Sequence, residues 1–278
     1  MPTSKPSTMI IIVSLVVLAL IVFAYARRAL PADEASGQNF TGAQPLVTSG
    51  DVLKIASFNI QTGKSNDGKR DIQRSAQTIA AVDFAGVQEV YAPTWLNRFG
   101  MGLSQSEALA KAGAFNFSFN PTRKRWFRDH RGNAMFSRLP VNAWYSKMLP
   151  DWSNKSFRNF TVAKTEWNNT EFAIINTHLH TKVGKEQQLE LVVHEFDKHP
   201  RAILMGDFNT RRDSPVLAAL LARDDTSDAI GELALDPLEG DRIDWIITKG
   251  FKAVGGQFLP KGVSDHPYYE VHLQIDEI

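Results

Sequence analysis

Asp207 and Asn209 are the residues of this sequence whose types and spacing most directly indicate chemistry. They follow the short apolar run 203–205, which is typical of a buried strand, and Gly206 is expected to let that strand stop and turn sharply. An ionised aspartate only accepts hydrogen bonds, whereas asparagine donates and accepts them, so the pair suits a nucleophilic water and a substrate oxygen. The alternative interpretation is an Asx-turn that caps a helix beginning near residues 213–215.

Polar side chains of similar kinds end or interrupt several other apolar runs. They are Asn59, Glu89, His178, Asp244 and the neighbours Asp265 and His266. Taken singly, each has an ordinary explanation, such as a hydrogen bond at the rim of a sheet. Asp244 is harder to explain in that way, because an unpaired buried carboxylate is costly and an imidazolium would be a suitable partner. Glu89 is a natural ligand for a hard cation.

The donor atoms of these residues indicate a divalent cation. Carboxylates, amides and imidazoles suit Mg²⁺ or Mn²⁺ better than a soft metal, and the chain has no cysteine to supply a thiolate. Zinc stays an alternative because histidine is available, but neither His178 nor His180 lies in an H-E-x-x-H helix. Together these groups would support metal-assisted in-line attack of water on a phosphodiester.

The elements that position these side chains are predicted from the pattern of apolar residues. Between residues 52 and 90 the pattern is strand, helix, strand, which makes the two strands neighbours in one sheet. Later segments add hairpins, one of them turning at Asn168 and Asn169, and helices over residues 186–196 and 215–222. This mixture of crossovers and hairpins predicts an α/β fold of two packed sheets flanked by helices.

Composition narrows the class of protein. Of the 278 residues, 43% are hydrophobic and 22% are charged, which fits one large globular domain plus a short appendage. The formal net charge is +1, so attraction to phosphates must come from local patches. Residues 123–131 form such a patch, with Trp126 and Phe127 among the cations. The patch suits a nucleic acid or an anionic membrane interface, and a solvated loop is the plain alternative.

The N-terminus contains an uncharged apolar run over residues 9–26, followed by Arg27 and Arg28. At about 18 residues the run is just long enough to span a bilayer as a helix, so residues 1–28 are predicted to be a single-pass membrane anchor. The alternatives are a signal peptide cleaved after Ala26 and a buried helix of a soluble domain.

The segment that follows the apolar run separates it from the folded part. Residues 29–50 are rich in Gly, Pro, Ser, Gln and Asp, which predicts a flexible linker ahead of a domain over residues 51–278. This domain is expected at a membrane on the extracytoplasmic side, or in the periplasm or secreted if the segment is cleaved. We expect it to be a monomer.

Seven short motifs occur in an order that resembles a known superfamily. They are SFNIQ, VQEV, GNAMFSR, NTHL, MGDFN, RIDWI and SDHPYYEV, and the resemblance covers residues 51–278. The ordered set is similar to the endonuclease/exonuclease/phosphatase superfamily, which includes pancreatic-type deoxyribonucleases, exonuclease III-like repair enzymes, neutral sphingomyelinases and inositol polyphosphate 5-phosphatases. The resemblance implies a four-layer α/β/β/α sandwich and divalent-metal-dependent phosphoester hydrolysis.

The resemblance also implies roles for individual residues. Glu89 resembles the principal metal ligand, with Asn59 beside it. His178 resembles the histidine that contacts the scissile phosphate and acts as an acid toward the leaving group. Asp207 and Asn209 resemble the pair that positions the water and the phosphate.

Five further residues match motifs near the middle and the end of the chain. Asp265 and His266 resemble the terminal dyad whose histidine polarises the water or the phosphate. Asp244 resembles the carboxylate that orients this histidine and raises its basicity. Asn133 and Arg138 resemble substrate-phosphate contacts.

Two departures from the superfamily pattern refine the prediction. Gln61 stands where exonuclease III-like members have an acidic residue, which makes the metal site more similar to the deoxyribonuclease and sphingomyelinase branches. The glutamate that partners the middle histidine in deoxyribonucleases has no clear equivalent, which weakens the acid role of His178. The sequence therefore predicts a Mg²⁺-dependent, nuclease-like phosphodiesterase acting on a nucleic acid or a phospholipid headgroup. The alternatives are a phospholipid or sphingomyelin phosphodiesterase, an inositol-phosphate phosphatase, and a non-catalytic binding module.

Overall fold

A computed structural model describes residues 8–26, 28–29, 31–42, 50–92, 104–125, 130–151, 157–237 and 239–276. Its helices are α1 (Thr8–Ala26), α2 (Ile72–Ile79), α3 (Gln105–Gly113), α4 (Lys185–Asp197), α5 (Pro215–Leu221) and α6 (Ala229–Glu232). Its strands are β1 (Arg28–Ala29), β2 (Glu34–Gly37), β3 (Thr41–Gly42), β4 (Leu53–Asn59), β5 (Phe84–Ala92), β6 (Asn116–Arg125), β7 (His130–Ser137), β8 (Val141–Leu149), β9 (Arg158–Trp167), β10 (Thr170–His178), β11 (Ala202–Asp207), β12 (Ser227–Asp228), β13 (Asp244–Lys249), β14 (Phe251–Leu259) and β15 (Tyr268–Ile275).

The described strands form two mixed sheets. The first has the order β1-β6-β7-β5-β4-β15-β14, with β3 also paired to β6, and the second has the order β12-β13-β11-β10-β9-β8-β2. Near the middle of each sheet runs a parallel pair, β4 with β5 in the first and β10 with β11 in the second. The carboxyl ends of these four strands carry predicted site residues, and ligands collect at such ends in α/β folds.

Apolar side chains fill three layers between the sheets and helices. Between the two sheets lie Leu53, Ile55, Phe84, Ile174, Ile203 and Ile246. Between the second sheet and helices α4 and α5 lie Leu189, Val192, Phe196 and Leu217. Between the first sheet and helices α2 and α3 lie Ala76, Ile79 and Leu109. The order of layers is therefore helix, sheet, sheet, helix, and the predicted fold of two packed sheets flanked by helices is confirmed.

Side-chain caps begin helices α2 and α3. The Asp71 carboxylate accepts a hydrogen bond from the backbone of Gln73 at the start of α2 (3.0 Å). Ser104 and Glu107 form a reciprocal capping box at the start of α3. Each cap satisfies backbone N–H groups that have no partner inside the helix, so it fixes where the helix begins.

Residues 31–42, here called the N-terminal strap, lie against both sheets. Within the strap, β2 pairs with β8 of the second sheet and β3 pairs with β6 of the first. Phe40 is buried in the core with its ring centroid 6.3 Å from that of Phe84. The prediction of a flexible linker over residues 29–50 is therefore wrong for the strap. The prediction was based on composition, but small and polar residues can pair at a sheet edge through their backbone groups alone.

Helix α1 covers the apolar N-terminal run. In the part of the chain that the structure describes, no helix is both long enough and apolar enough to cross a membrane. The prediction of an anchor over residues 1–28 is therefore unsupported. Residues 1–7, 27 and 43–49 lie outside the described residues, as do residues 126–129 of the predicted basic patch.

Candidate active site

Asp207 lies at the centre of a cluster of polar side chains at the ends of the central strands. Its Oδ2 accepts a hydrogen bond from Asn59 Nδ2 (2.9 Å), which joins the end of β4 to the end of β11. The same oxygen lies 3.2 Å from His178 Nε2 and 3.7 Å from His266 Nε2. The packing of the two sheets thus brings together four predicted site residues that are far apart in sequence.

Gly206 allows this convergence through a close approach between strands. The sequence predicts that the strand turns at Gly206. In the structure β11 instead continues through Asp207. The φ angle of Gly206 is 140°, and an added Cβ would lie 1.9 Å from the carbonyl oxygen of Thr177. Only glycine fits here, and the resulting register places His178 directly beside Asp207 on the neighbouring parallel strand.

Asp244 and His266 form a hydrogen-bonded pair next to Asp207. The Nδ1 of His266 donates to Asp244 Oδ2 (2.8 Å), so the buried carboxylate has the imidazole partner that its burial requires. Asp244 begins β13, and the antiparallel register sets it opposite Asp207 on β11. The other carboxylate oxygen of Asp244, Oδ1, is buried and has no hydrogen-bond partner among the described groups.

Crowded carboxylates shift the pKa values of this cluster. Burial, followed by the neighbouring carboxylate of Asp244, raises the pKa of Asp207 to about 7. Burial disfavours the imidazolium of His266, but the carboxylates of Asp244 and Asp207 outweigh it and raise the pKa of His266 to about 9. The site therefore favours extra positive charge beside Asp207.

His178 has the opposite electrostatic environment. Burial is the largest cause that lowers the pKa of His178 well below 6.5, and the guanidinium groups of Arg158 and Arg131 lower it further. The imidazole of His178 is therefore neutral near pH 7, so it can exchange hydrogen bonds there but carries no extra proton to release.

Glu89 lies in a strained segment of β5. Its φ angle is 58°, and the pairing of β5 with β7 is irregular between Val87 and Val90, as at a β-bulge. Its carboxylate forms an ion pair with Arg131. A positive φ at a residue other than glycine is uncommon and often marks a functional position. The predicted metal ligand is thus present at the strand end, with its carboxylate paired to a cation of the protein.

The donor set of the cluster fits a hard divalent cation. Ligand atoms of Asp207, Asp244 and His266 all lie within 4.8 Å of one another. The buried, unpartnered Oδ1 of Asp244 is a further available oxygen. Carboxylate oxygens with imidazole suit Mg²⁺ or Mn²⁺. This group differs from the ligands that the sequence predicts, Asn59 and Glu89, although Asn59 is bonded to Asp207.

Asp265 lies at the rim and is held by Gln61. The amide Nε2 of Gln61 donates to Asp265 Oδ2 (2.6 Å), and the backbone N–H of Gln61 donates to Asn59 Oδ1 (3.0 Å). The hydroxyl of Ser264 donates to the Asn59 carbonyl (2.6 Å). The residue that departs from the exonuclease III-like pattern therefore connects the first and last motifs.

Asn209 shows that the turn and site interpretations of the Asp207 region are compatible. Its backbone N–H donates to Asp207 Oδ1 (3.0 Å), which is an Asx-turn, and its side-chain amide donates to the Leu179 carbonyl (3.0 Å). Helix α5 has a separate cap, because Ser214 accepts the hydrogen bond from the backbone of Leu217 (3.5 Å). The Asx-turn therefore orients Asn209 and does not cap the helix.

The two predicted substrate contacts lie in different places. Asn133 is buried and donates to Asn159 Oδ1 (2.8 Å), one residue from Arg158. Arg138 does not join the site, so its prediction is wrong. Its guanidinium donates to the carbonyls of Gly113 (3.1 Å) and Ala80. Because β7 runs antiparallel to β5, Arg138 follows the end of β7 that lies beside the start of β5. The site residue Glu89 lies toward the other end of β5.

Arg158 joins the site although it belongs to none of the sequence motifs. It begins β9, and its Nε is buried with no hydrogen-bond partner in the described structure. Burial lowers the pKa of Arg158, whereas the carboxylates of Asp207 and Glu89 act in the opposite direction. Arg158 therefore interacts electrostatically with both carboxylates, and its Nε–H is available to donate a hydrogen bond.

The hairpin predicted at Asn168 and Asn169 could have indicated that Arg158 lies at the site. Asn168 and Asn169 both have positive φ angles and form the two-residue turn between β9 and β10. Such a turn fixes the register, and Thr177 pairs with Phe160. The start of β9 must then lie at the same end of the sheet as His178.

A sandwich of two mixed sheets with this cluster at its edge has the architecture of a phosphoesterase. The sequence profile of the Endonuclease/Exonuclease/phosphatase family matches residues 56–266, and the chain therefore belongs to this family. Family members are hydrolases. No curated protein sequence matches the chain. The family assignment does not distinguish the deoxyribonuclease or sphingomyelinase branch, which stays a prediction.

Solved structures of low sequence identity share the fold. An endonuclease/exonuclease/phosphatase from Beutenbergia cavernae is 21% identical with a TM-score of 0.66, covering 81% of this chain and 72% of its own. A mannosyl-6-phosphatase from Bacteroides thetaiotaomicron is 18% identical with a TM-score of 0.62, covering 80% and 99%. Humanized TDP2 from D. rerio is 15% identical with a TM-score of 0.58, covering 81% and 100%.

Proposed function

We propose that this chain is a divalent-metal-dependent phosphodiesterase. The observation that carries the proposal is the convergence on Asp207 Oδ2 of side-chain nitrogens from Asn59, His178 and His266, all within 3.7 Å. Asp207 also lies opposite the buried carboxylate of Asp244. Two adjacent buried carboxylates repel each other, so their close placement favours a role in binding a cation over a purely structural one.

The carboxylates of Asp207 and Asp244 are proposed to hold the cation, together with Asn59 and Glu89, the ligands that the sequence predicts. Mg²⁺ is the proposed cation, and Mn²⁺ suits the same oxygens. When bound, the cation supplies positive charge that neutralises phosphate oxygens and opposes protonation of His266.

The pair of His266 and Asp244 is proposed to handle the proton of the attacking water. The carboxylate of Asp244 fixes the ring in the tautomer with a proton on Nδ1 and stabilises the imidazolium that forms when Nε2 accepts a proton. Asp207 and Asn209, joined by the Asx-turn, orient the water and a phosphate oxygen from the opposite side.

His178 and Arg158 are proposed to bind the phosphate. Because the pKa of His178 is lowered well below 6.5, its imidazole donates a hydrogen bond to a phosphate oxygen instead of a proton to the leaving group. The guanidinium of Arg158 supplies positive charge to the non-bridging oxygens, and this charge is effective because the group is buried. Asn133 lies beside Arg158 through Asn159 and supports the same subsite.

Hydrolysis of bis-(p-nitrophenyl) phosphate by the full chain, with Mg²⁺ and with EDTA, tests the proposal. We expect Mg²⁺-dependent turnover that falls by about 10²–10⁴-fold in His266→Ala, the scale of acid–base catalysis, and is strongly reduced in Asp207→Asn. His194→Ala is the matched control, because His194 is exposed on α4. Full turnover in EDTA would contradict the metal requirement. No turnover, together with no cation-dependent stabilisation, would favour a non-catalytic binding module.

A phosphomonoesterase is the second candidate, and the fold shared with the mannosyl-6-phosphatase favours it. The same residues would act on a phosphate with one ester bond. The ratio of kcat/KM for p-nitrophenyl phosphate to that for bis-(p-nitrophenyl) phosphate distinguishes the two. A ratio above one favours the monoesterase, and a ratio below one favours the diesterase.

A further inference from the structure

Strained backbone lies close to the two proposed cation ligands of the first sheet, Asn59 and Glu89. Glu89 itself has a φ angle of 58°, and Gln61 and Thr62, just after the end of β4, have φ angles of 46° and 58°. Such angles are unfavourable for residues other than glycine, above all for a β-branched residue such as Thr62. They persist only where the surrounding structure holds them, so the contacts of these two segments decide where the ligands lie.

Gln105 connects the two strained segments through its side-chain amide. Its Oε1 accepts a hydrogen bond from the backbone N–H of Tyr91 (2.9 Å), and its Nε2 donates to the carbonyl of Thr62 (2.8 Å). Tyr91 lies two residues after Glu89. A primary amide offers both a donor and an acceptor, so it can join one backbone to another. The spacing between the two segments therefore depends on Gln105.

The amide of Gln105 takes the place of sheet pairing at the point where β4 ends. The register pairs Asn59, the last residue of β4, with Gln88 of β5. The N–H of Tyr91 lies beyond this last pair, and a backbone donor away from water needs a partner. Gln105 supplies the acceptor, so β5 is held on this side after the irregular pairing near Glu89.

Helix α3 holds Gln105 itself in place. Gln105 is the first residue of α3, and the capping box of Ser104 and Glu107 fixes where the helix begins. Leu109, one turn further along, is fully buried in the layer between α3 and the first sheet. The amide is therefore carried by an anchored helix end, which allows it to hold two other segments.

Short paths lead from this amide to both proposed ligands. On one side, the backbone N–H of Gln61, the neighbour of Thr62, donates to Asn59 Oδ1 (3.0 Å). On the other side, Tyr91 follows Glu89 on the same strand. A shift of either segment therefore moves one ligand relative to the other, and Mg²⁺ tolerates little departure from its preferred geometry.

We propose that Gln105 is a positioning residue of the cation site, whose amide sets the spacing between Asn59 and Glu89. The inference rests on the proposed metal-dependent function and adds a residue that acts through the backbones it joins. The loss of this amide is expected to weaken cation binding by about tenfold or more, the scale observed when a partner behind a metal ligand is removed.

Binding of Mn²⁺ to the full chain, followed by the electron paramagnetic resonance signal of free Mn²⁺, tests the inference without any turnover. Gln105→Met keeps the length of the side chain but removes both hydrogen bonds. Gln105→Asn keeps the amide on a side chain that is too short to join both backbones. We expect each variant to raise the Kd for Mn²⁺ by about tenfold or more.

Kinetics with bis-(p-nitrophenyl) phosphate give a second readout. In both Gln105 variants, the Mg²⁺ concentration that gives half-maximal turnover should rise by a similar factor. The value of kcat at saturating Mg²⁺ should change less, because the residues that handle the proton and the phosphate are unaltered.

Gln188→Met is the matched control, because Gln188 forms the same kind of bridge elsewhere in the domain. Its Oε1 accepts from the backbone N–H of His180 (2.8 Å), and its Nε2 donates to the carbonyl of Pro150 (2.7 Å). Gln188 is fully buried, so its loss should lower Tm at least as much as the loss of Gln105. Neither of its bonds involves the segments that carry the two proposed ligands, so the Kd for Mn²⁺ should stay within about twofold of the wild-type value.

The outcomes separate this inference from the proposed function. If the wild-type chain binds no Mn²⁺, or if Asp207→Asn leaves the binding unchanged, the cation site of the proposed function fails. If the wild-type chain binds Mn²⁺ and the Gln105 variants bind it equally well, only the role of Gln105 is overturned. Equal weakening in Gln188→Met would also overturn it, because loosening anywhere in the domain would then suffice.

Cooperative thermal unfolding shows which variants are folded. Gln105→Asn is the milder change and decides the question if Gln105→Met does not fold. Failure of both variants to fold would make Gln105 a structural residue and would overturn the proposal as well.

Discussion

The two carboxylate oxygens of Asp207 have different tasks, and this division explains why one residue serves both structure and chemistry. Oδ1 accepts the backbone hydrogen bond of Asn209 and forms the turn, while Oδ2 faces Asn59, His178 and His266. A carboxylate that is oriented by its own turn loses little conformational entropy when it binds a ligand. The turn interpretation of the sequence and the catalytic one therefore describe two halves of the same side chain.

The pKa of His266 depends on Asp244 at the scale of a single residue. In Asp244→Asn the largest favourable charge is removed while burial stays, so we expect the pKa of His266 to fall from about 9 toward or below 6.5. Histidine-selective NMR titration of the protein in EDTA measures it. Asp265→Asn is the control, since its carboxylate is a weaker cause of the shift and should lower the pKa less. Equal shifts in the two variants would contradict the assignment of Asp244 as the orienting carboxylate.

Arg158 is expected to serve function at the expense of stability. Its buried Nε has no hydrogen-bond partner among the described residues, so Arg158→Met removes a desolvated charge and should leave the free energy of unfolding unchanged or raise it. The loss of a charge aimed at the phosphate should lower kcat/KM for the cleaved diester by about 10²–10³-fold. Urea unfolding and steady-state kinetics check the two effects separately. A destabilised variant with normal kinetics would show that Arg158 is structural.

At the scale of elements, much of the site follows from where strands end. Asn59, His178, Asp207 and Asp244 stand at strand termini that the apolar runs predict, and sheet geometry gathers such termini. The register between paired strands decides which other residues join the site. A correct pairing of β9 with β10 would have revealed Arg158. The packing of the two sheets against each other, which sets the contacts to Asp207, depends on long-range complementarity that no local pattern contains.

The N-terminal strap shows the limit of composition as a guide to order. Gly, Ser and Ala in β2 carry no apolar pattern, yet their backbones pair with β8, so that β2 forms the edge of the second sheet. The strap is anchored by Phe40, an isolated aromatic residue in a polar segment. An isolated aromatic residue in an otherwise linker-like sequence therefore indicates that the segment packs on the domain, because burial of a large apolar ring is favourable.

Phe40→Ala measures the contribution of the strap to stability. We expect a loss of about 3 kcal/mol in the free energy of unfolding, the lower end for a buried phenylalanine, because the ring lies at the edge of the core. Urea denaturation of the full chain gives this value. Gln38→Ala is the control in the same segment, and its exposed side chain should contribute less than about 0.5 kcal/mol. Similar values for both would mean that the strap is not docked in solution.

At the scale of the whole molecule, the site belongs to neither sheet alone. Asn59 comes from the first sheet and Asp207 from the second, and the bond between them crosses the plane where the sheets pack. A change that separates the sheets must therefore disrupt the cluster, and a ligand bound by the cluster must stabilise the packed sheets. Cation binding and global stability are thus linked, and pH should modulate the link.

The stabilisation by Mg²⁺ is expected to grow with pH. Burial and the carboxylate of Asp244 raise the pKa of Asp207 from 3.8 to about 7, and the carboxylates of Asp244 and Asp207 outweigh burial and raise that of His266 from 6.5 to about 9. The metal-free native state therefore binds more protons than the unfolded chain, and its stability falls as pH rises through those windows. A cation competes with these protons, so it binds best once they have dissociated.

Thermal unfolding with saturating Mg²⁺ and with EDTA should therefore give a larger difference in Tm at a pH of about 8.5 than at about 5.5. His178, whose pKa is lowered, produces a slope of opposite sign below 6.5, but it affects both conditions and largely cancels in the difference. Asp207→Asn should abolish most of the Mg²⁺ increment at the higher pH. An increment that is equal at both pH values, or larger in acid, would mean that the cation does not bind at the Asp207 cluster.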